Sequence, residues 1–404
     1  MSLPDILEAP WLTAPANLAV FGALEAARPG GSRYVGGCVR NTLRGLPSDD
    51  FDVATQLTPA SVIAALKAAG VRAVPTGIEH GTVTAVHAGQ PVEITTLRRD
   101  VETDGRRAVV AFTEDWREDA GRRDFRLNAI YASPDGTLHE IIPGSIDDAV
   151  AGRVIFIGDA DQRLREDYLR ILRFYRFNAW YGAGIDAGGQ AACARQREGL
   201  RRIAAERIWK ELKRTLAAPD PSHAMDAMEE AGVLSEVLPG ASPALLPALV
   251  AAETGARLAP DPMRRLVALV PRRLREAGAL SARLKLSNEE SGRLAGWADP
   301  ALPHVLGAGE AAAAEAFYRH GAAAVVDRAV IEAASGAAGN LAGLVGHAAA
   351  WQRPKFPVGG ADALSAGLEG PGIGAALSAL EEDWIASGFS LDRRTLIARL
   401  KAFS

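Results

Sequence analysis

The chain has 404 residues, 48% of them hydrophobic, and a formal net charge of −4. This length allows two to four packed domains, and the composition excludes a chain too polar to form a core. The two cysteines, Cys38 and Cys193, are too few for a disulfide framework or a cysteine-built zinc site. No apolar run of about 18 residues predicts a membrane span, and the N-terminus lacks the pattern of a signal peptide. We therefore expect a cytoplasmic protein without membrane contact.

Positive charge is concentrated in residues 153–214, which contain 14 Lys and Arg against 8 Asp and Glu. A negative net charge argues by itself against nucleic-acid binding. Clustered cations, however, are what a phosphate-binding surface requires, because each neutralised phosphate releases condensed counterions. A solvated helical face would give the same pattern, so this clue leaves both interpretations open.

Strand-like and helical runs alternate between residues 33 and 142. Alternation and β-rich composition predict strands, and apolar residues at helical spacing predict helices. The charged stretch 98–123, which contains Asp104-Gly105-Arg106, is predicted to be a flexible loop. The predicted strands are 34–36, 51–54, 82–87, 91–97, 128–132 and 137–141, and the predicted helices are 39–44 and 59–69.

After residue 152 the pattern becomes helical, with long periodic segments at 164–181 and 203–216. The sequence therefore predicts an α+β fold in which a mixed α/β domain precedes an elongated, all-helical remainder. The expected domains are residues 1–150, 151–216 and 217–404.

Gly36 and Gly37 stand where the first predicted strand passes into the first predicted helix, and Arg40 follows on that helix. Paired glycines at such a junction let backbone N–H groups approach a phosphate, and a helix N-terminus favours negative charge. The guanidinium of Arg40 adds further donors. This pattern predicts a phosphate-binding turn, although glycine pairs also occur in plain turns.

Three acidic residues lie on or directly beside predicted strands. Asp50 and Asp52 are two residues apart, so on one strand they face the same side and can hold the same cations. Such a pair can bind Mg²⁺ and act on both the attacking and the leaving oxygen of an in-line displacement. Glu93 lies on the outward side of the strand at 91–97 and is a third candidate. The alternative is that all three are ordinary surface acids.

Arg122 and Arg123 precede a predicted strand. Adjacent guanidinium groups suit a triphosphate or an RNA backbone, because guanidinium binds phosphate in a bidentate manner. A solvated charge cluster is the structural alternative.

Asp167, Arg170 and Arg173 fall at three-residue steps in the helix predicted at 164–181, and so lie along one face. A carboxylate acceptor beside a guanidinium donor complements cytosine, and equally adenine, because each offers an amine beside a ring acceptor. Guanine and uracil present the opposite pattern, so this pair would select C and A. The alternative is a plain surface ion pair.

These segments together resemble the class II tRNA nucleotidyltransferase and bacterial poly(A) polymerase family. Residues 36–40 with 50–52 match its first motif, and residues 122–129 match its Arg-Arg-Asp-Phe-Thr-x-Asn-Ala motif. Residues 166–170 match its Glu-Asp-x-x-Arg motif, and residues 206–212 resemble its later helical motif. Residues 77–84 are similar to the CCA-adding subgroup.

The resemblance implies a polymerase-β-type nucleotidyltransferase head followed by a helical neck, body and tail. It implies Mg²⁺ ligation by Asp50 and Asp52, triphosphate contacts from Gly37, Arg40 and Arg123, and base reading by Asp167 and Arg170. Further nucleotide contacts are implied for Arg173 and Arg176. The implied substrates are CTP, ATP and the acceptor arm and 3′ end of tRNA.

Two residues depart from the family motifs. Asn41 stands where Asp is usual, and Arg126 where Thr is usual. Neither position is an implied metal ligand, so we expect altered local bonding with activity kept. Poly(A) addition, A-only or CC-only addition, and RNA binding without catalysis remain alternatives.

Overall fold

The computed structural model describes residues 6–103 and 108–403. The chain forms two compact units, Met1–Pro239 and Gly240–Ser404. The predicted boundaries after residues 150 and 216 both fall inside the first unit and stay predictions. Among the described residues, no helix is both long and apolar enough to cross a membrane.

The first unit contains a mixed sheet. Its described strands are β1 (Ser32–Val35), β2 (Asp52–Thr55), β3 (Arg72–Gly77), β4 (Thr82–His87), β5 (Gln90–Thr96), β6 (Arg98–Thr103), β7 (Ala108–Phe112), β8 (Ile130–Ala132) and β9 (Leu138–Glu140). Seven of them form one sheet in the order β3-β4-β5-β2-β1-β8-β9, and β6 pairs with β7 separately. The pair β2–β5 is parallel, and the other neighbours are antiparallel.

The described α-helices of the first unit surround this sheet and continue beyond it. They are α1 (Pro15–Ala27), α2 (Gly37–Leu43), α3 (Pro59–Ala68), α4 (Trp116–Gly121), α5 (Ser145–Ala151), α6 (Ala160–Glu166), α7 (Leu169–Tyr181), α8 (Ala187–Gln196), α9 (Ala205–Leu216), α10 (Ser222–Glu230) and α11 (Val233–Val237).

The helices α1 and α3 pack on strands β4 and β5, where Val83 and Ile94 are fully buried. Helix α3 begins where Thr58 accepts a hydrogen bond from the backbone N–H of Ser61, with Pro59 in the first turn. One face of the sheet therefore packs into the hydrophobic core. Glu93, which alternates with Val92 and Ile94, is exposed.

The predicted α+β fold, with a mixed sheet before a helical remainder, is confirmed. The loop predicted at 98–123 is wrong in part, because β6 and β7 pair as a hairpin and α4 follows. Asp104-Gly105-Arg106 lie outside the described residues. The edge strand β3 was not predicted, because Pro75 and Gly77 are rare within strands; proline is tolerated at a sheet edge.

The predicted helix 164–181 is interrupted in the structure. Helix α6 ends at Glu166 and α7 begins at Leu169. Asp167 is extended, with φ −151° and ψ 104°, and its carboxylate accepts a hydrogen bond from the backbone N–H of Leu169. This side-chain bond competes with continuous helix, and no Pro or Gly marks the break in the sequence.

The second unit is helical throughout its described elements. Two of its cores contain Phe317 and Trp384 respectively. Its helices are α12 (Leu246–Gly255), α13 (Pro262–Leu269), α14 (Leu274–Leu284), α15 (Asn288–Ala298), α16 (Glu310–His320), α17 (Ala322–Ala334), α18 (Leu341–Ala350), α19 (Gly360–Ser365), α20 (Pro371–Ala386) and α21 (Arg393–Leu400).

Candidate active site

A cavity of about 500 Å³ lies in the first unit, where residues of the β1–α2 junction, β2, α7 and α9 meet. It brings together most of the predicted site residues. Those that line it are Gly36, Gly37, Arg40, Asp52, Arg123, Asp167, Arg170 and Arg173. Asp50, Glu93 and Arg176 do not line this cavity.

The acidic cluster lies at the start of β2. Asp52 begins that strand, and its register partner on the parallel strand β5 is Glu93. Partners in register face the same side of a sheet. Asp50 is exposed and lies in the connection before β2, so its predicted place on the same strand is wrong. The cause is that β1 ends at Val35, which leaves no residue of that strand to pair with Asp50.

The environment of Asp52 raises its pKa to about 6. The main cause is partial removal from water, followed by repulsion from Glu93, while Arg123 acts in the opposite direction and Asp50 adds further repulsion. Asp52 is nevertheless exposed at the cavity wall, so solvent reaches its carboxylate. A divalent cation placed here would relieve the repulsion between these carboxylates.

No group of three or more His, Cys, Asp or Glu within the described residues is arranged to hold a metal ion. The donor set nevertheless fits Mg²⁺, which prefers hard oxygen ligands. Mg²⁺ usually takes one or two carboxylates and completes its octahedron with water and substrate phosphate. Asp52 with one neighbouring carboxylate meets that requirement.

The β1–α2 junction depends on Gly36. Its backbone has φ 73° and ψ −116°, a conformation that side-chain-bearing residues rarely adopt. Its N–H donates to the carbonyl oxygen of Ile130. A Cβ on Gly36 would lie 3.7 Å from Nη1 of Arg123, so the turn and this guanidinium face each other.

Arg40 is buried and its donors are largely used within the protein. It donates from Nη1 to Oδ1 of Asn128, and from Nε and Nη2 to Oδ1 of Asn41 at 3.2 and 2.8 Å. Its guanidinium lies 3.9 Å above the ring of Tyr181. Burial lowers the pKa of Arg40. Asn41, the residue that departs from the family motif, thus holds the guanidinium of Arg40 by hydrogen bonds without neutralising its positive charge.

Arg123 is anchored by Asp119 and Tyr131. Its Nη2 lies 3.1 Å from Oδ2 of Asp119, and its Nε lies 3.2 Å from the hydroxyl of Tyr131. Asp119 is almost fully buried, which raises its pKa, but Arg123 and Arg122 outweigh this and lower the pKa to about 2. The anchored Arg123 leaves its Nη1 without a hydrogen bond among the described residues, beside Gly36.

Asp167 and Arg170 both line the cavity, but they do not pair with each other. Arg170 donates from Nη1 to Glu166 at 2.6 Å and to the carbonyl oxygen of Arg163 at 2.9 Å. Asp167 instead pairs with Arg207, Nη2 to Oδ2, at 2.9 Å. The alternative of a simple Asp167–Arg170 ion pair is therefore wrong.

Arg173 and Arg176 diverge on α7. Arg173 donates to Asp124 from Nε at 2.8 Å and lines the cavity. Arg176 instead donates to Glu211 of α9 at 2.6 Å and stacks over Phe177. A structural role in joining α7 to α9 is therefore evident for Arg176.

Sequence reasoning missed Arg207 as a lining residue of the cavity. Asp124, Asn128 and Phe177 were missed as well. Arg207 belongs to the motif recognised at 206–212, and that position in a motif was the only available signal. The spacing along the chain does not reveal that α9 packs on α7.

The composition of the basic segment 153–214 overstates its positive charge, because part of that charge is neutralised within the protein. Many of its arginines are paired, as Arg195 is with Asp161 and Arg201 with Glu236. Other cations are exposed at the surface of the segment, two of them on α9. They are Arg165, Arg202, Lys210 and Arg214.

Two family models match the chain. The Poly A polymerase head domain matches residues 32–154, and the probable RNA and SrmB-binding site of polymerase A matches residues 185–245. The CCA tRNA nucleotidyltransferase 1 of Mus musculus, a mitochondrial protein by name, is 34% identical over 382 residues, covering 91% of this chain and 86% of the relative. The chain belongs to the CCA tRNA nucleotidyltransferase family.

Bacterial members of the CCA tRNA nucleotidyltransferase family are also similar. The CCA-adding enzyme of Geobacillus thermodenitrificans is 37% identical over 210 residues, half of each chain. The crystal structure of the Bacillus stearothermophilus CCA-adding enzyme with CTP matches with a TM-score of 0.79 at 24% identity, covering 96% of this chain and 98% of that one. This likeness shows the family fold. Nucleotidyltransferases of this family are generally metal-dependent.

Proposed function

We propose that this chain adds C and A to the 3′ end of tRNA from CTP and ATP, without a nucleic-acid template and with release of pyrophosphate. The family membership supports this activity. The observation that carries it is a single cavity lined by the carboxylate Asp52 and by the base-reading pair Asp167 and Arg170. Structures of related CCA-adding enzymes contain CTP, ATP or tRNA.

We propose Mg²⁺ as the metal, held by Asp52 and Asp50, with Glu93 as the third carboxylate beside them. The support is the register of Asp52 with Glu93 and the repulsion that Asp50 exerts on Asp52. Bound there, two such ions would stabilise the attacking and the leaving oxygen of an in-line displacement. The bond formed joins the 3′ oxygen of tRNA to the α-phosphorus, and the bond broken is that between the α-phosphorus and the pyrophosphate oxygen.

The triphosphate is proposed to bind at the β1–α2 junction. No atom lies within 4 Å of the place that a Cβ on Gly37 would take, and the Nη1 of Arg123 faces Gly36. Arg123 is the better donor, because the hydrogen bonds of Arg40 to Asn128 and Asn41 occupy its guanidinium. Arg40 contributes its charge and holds the junction.

The base is proposed to be read by Asp167 and Arg170. The carboxylate accepts a hydrogen bond from the amine of C or A, and the guanidinium donates to the neighbouring ring acceptor. Uracil and guanine present a carbonyl to the carboxylate and a ring N–H to the guanidinium. Both contacts then fail, and this mismatch accounts for the selection of C and A.

The decisive experiment incubates the protein and Mg²⁺ with tRNA that lacks its 3′ CCA, supplying each nucleotide separately and then CTP with ATP. Sequencing of the product ends should show CCA and no U or G. Long A tracts would identify a poly(A) polymerase, and ends in A or CC alone would identify a partial enzyme. Absence of any nucleotide addition would indicate an RNA-binding protein without catalytic activity. A cytoplasmic location stays a prediction, which cell fractionation would test.

A further inference from the structure

Arg207 lies on α9 and lines the same cavity as the base-reading pair. Its Nη2 lies 2.9 Å from Oδ2 of Asp167. The two side chains are 42% and 29% exposed. The pair is thus partly shielded from water, where a charge-assisted hydrogen bond is stronger than at an open surface.

Asp167 stands in the break between α6 and α7, where its backbone is extended. Two contacts hold its carboxylate. Oδ1 accepts from the backbone N–H of Leu169 at 3.1 Å, and Oδ2 accepts from Arg207. A carboxylate offers about four acceptor positions, so roughly two remain for a base.

Arg170 does not hold the carboxylate of Asp167. Its guanidinium is held separately, by Glu166 and by the carbonyl oxygen of Arg163. The acceptor and the donor of the base-reading pair therefore have independent supports. The support of the acceptor comes from α9, about 40 residues further along the chain.

We propose that Arg207 is a positioning residue that fixes the carboxylate of Asp167 toward the amine of C and A, and so sets the rejection of U and G. This inference rests on the proposed function. Without Arg207 the carboxylate keeps only the Leu169 contact and can rotate about its side-chain bonds. Arg170 then reads the base alone, and its N–H groups donate to the carbonyl oxygens of uracil as readily as to the acceptors of cytosine.

The test compares Arg207→Gln, Arg207→Lys and the matched control Lys210→Gln in the full chain with tRNA lacking CCA. Lys210 is an exposed cation on the same helix. The measured quantity is the ratio of kcat/KM for CTP to that for UTP. Loss of one positioning hydrogen bond should lower this ratio by roughly 5- to 150-fold in Arg207→Gln. Arg207→Lys should restore most of it, because a single N–H contact is needed.

Lys210→Gln should weaken tRNA binding slightly, because it removes one exposed cation, while the CTP-to-UTP ratio stays at the wild-type value. Thermal unfolding of all three variants shows whether the fold is retained. Combining Arg207→Gln with Asp167→Ala should lower the ratio no further than Asp167→Ala alone, because both act through one carboxylate.

Equal losses for CTP, ATP and UTP in Arg207→Gln would overturn the inference and leave Arg207 as a tRNA contact. A further drop in the double variant would overturn it as well. A wild-type protein that shows no preference for C and A would instead contradict the proposed function. The two failures are therefore distinguishable.

Discussion

Asp52 and Glu93 lie opposite each other in register on the parallel strands β2 and β5. Their side chains therefore face the same side of the sheet, at the strand that borders the cavity. Two carboxylates held side by side repel, and this repulsion contributes to the raised pKa of Asp52. Such an arrangement is costly unless a cation occupies it, and it explains why an acidic cluster stands beside an arginine-rich cavity.

Replacing Asp52 by Asn should abolish nucleotide addition, because an amide cannot hold Mg²⁺ as a carboxylate does. Asp50→Asn should have the same effect. Binding of tRNA should stay within a few-fold of wild type, since the phosphate contacts lie elsewhere. Incorporation of labelled CTP and a filter-binding assay measure the two properties.

Asp49→Asn is the matched control for these variants. Asp49 is exposed and adjacent to Asp50, but unlike Asp50 it is not among the groups that repel Asp52. We expect wild-type addition from this variant. Addition within a few-fold of wild type in Asp50→Asn or Asp52→Asn would remove that residue from the metal site.

Asp119 is expected to stabilise the first unit in a pH-dependent manner. Its pKa is lowered from about 4 to about 2 because burial is outweighed by Arg123 and Arg122. A lowered carboxyl pKa contributes stability that is fully present above about pH 4 and is lost as the pH falls through 2. The contribution is roughly 2–3 kcal/mol. Asp119→Asn should therefore unfold at a lower temperature than wild type at pH 5.

The difference in Tm between wild type and Asp119→Asn should shrink as the pH falls from 4 to 2. Calorimetry of both proteins across this range measures it, and Asp49→Asn again serves as the control. A constant difference would mean that the effect of Asp119 comes from packing and hydrogen-bond geometry, not from its charge.

The sequence predicted those parts of the site that depend on local pattern. Strand β4 was predicted with the bounds that it has, because Thr82 and Thr84 alternate with the apolar Val83 and Ala85. The turn at Gly36 was predicted from the glycine pair at a strand-to-helix junction, and Gly36 has the positive φ that favours glycine. Local spacing does not reveal which strands become neighbours, so the register of Asp52 with Glu93 could not be predicted.

The break between helices α6 and α7 at Asp167 could not be predicted from the sequence either. The helical spacing of apolar residues continues through the break. The helix is interrupted because the Asp167 carboxylate accepts a hydrogen bond from the N–H of Leu169, and hydrophobic periodicity does not reveal such a bond. The pairing of Asp167 with Arg207 could not be predicted either, because it depends on the packing of α9 against α7. Contacts between distant elements thus complete a site whose local parts were visible in the sequence.

Exposed cations of the segment 153–214 are expected to bind the tRNA backbone. If Arg165, Arg202, Lys210 and Arg214 each contact one phosphate, the logarithm of the binding constant should fall with the logarithm of salt concentration with a slope of roughly −3 to −4. Lys210→Gln should reduce the slope by roughly one. Two tRNAs of different sequence should bind alike, because phosphate contacts carry no base information. A salt-independent affinity would contradict this.

Asn41→Asp should weaken binding of both nucleotides. Oδ1 of Asn41 already accepts from Nε and Nη2 of Arg40, so a carboxylate there would neutralise the charge that attracts the triphosphate. A loss of about 1 kcal/mol corresponds to roughly a fivefold rise in KM for CTP and for ATP alike. Asn41→Ala removes the acceptor without adding charge and should raise KM less. An unchanged or lower KM in Asn41→Asp would show that Arg40 acts only on the fold.

Asp167→Ala should make UTP and GTP usable. The variant leaves Arg170 held by Glu166 and able to donate to any carbonyl, whereas the acceptor that demands an amine is gone. Each lost hydrogen bond in a shielded site costs about 1–3 kcal/mol, so discrimination against UTP should fall by roughly 5- to 150-fold. The rate with UTP should fall less than the rate with CTP, because UTP gained nothing from the carboxylate. Competition assays with CTP and UTP measure this ratio directly. Unchanged relative efficiencies for all four nucleotides would show that Asp167 serves only to start α7 and to hold Arg207.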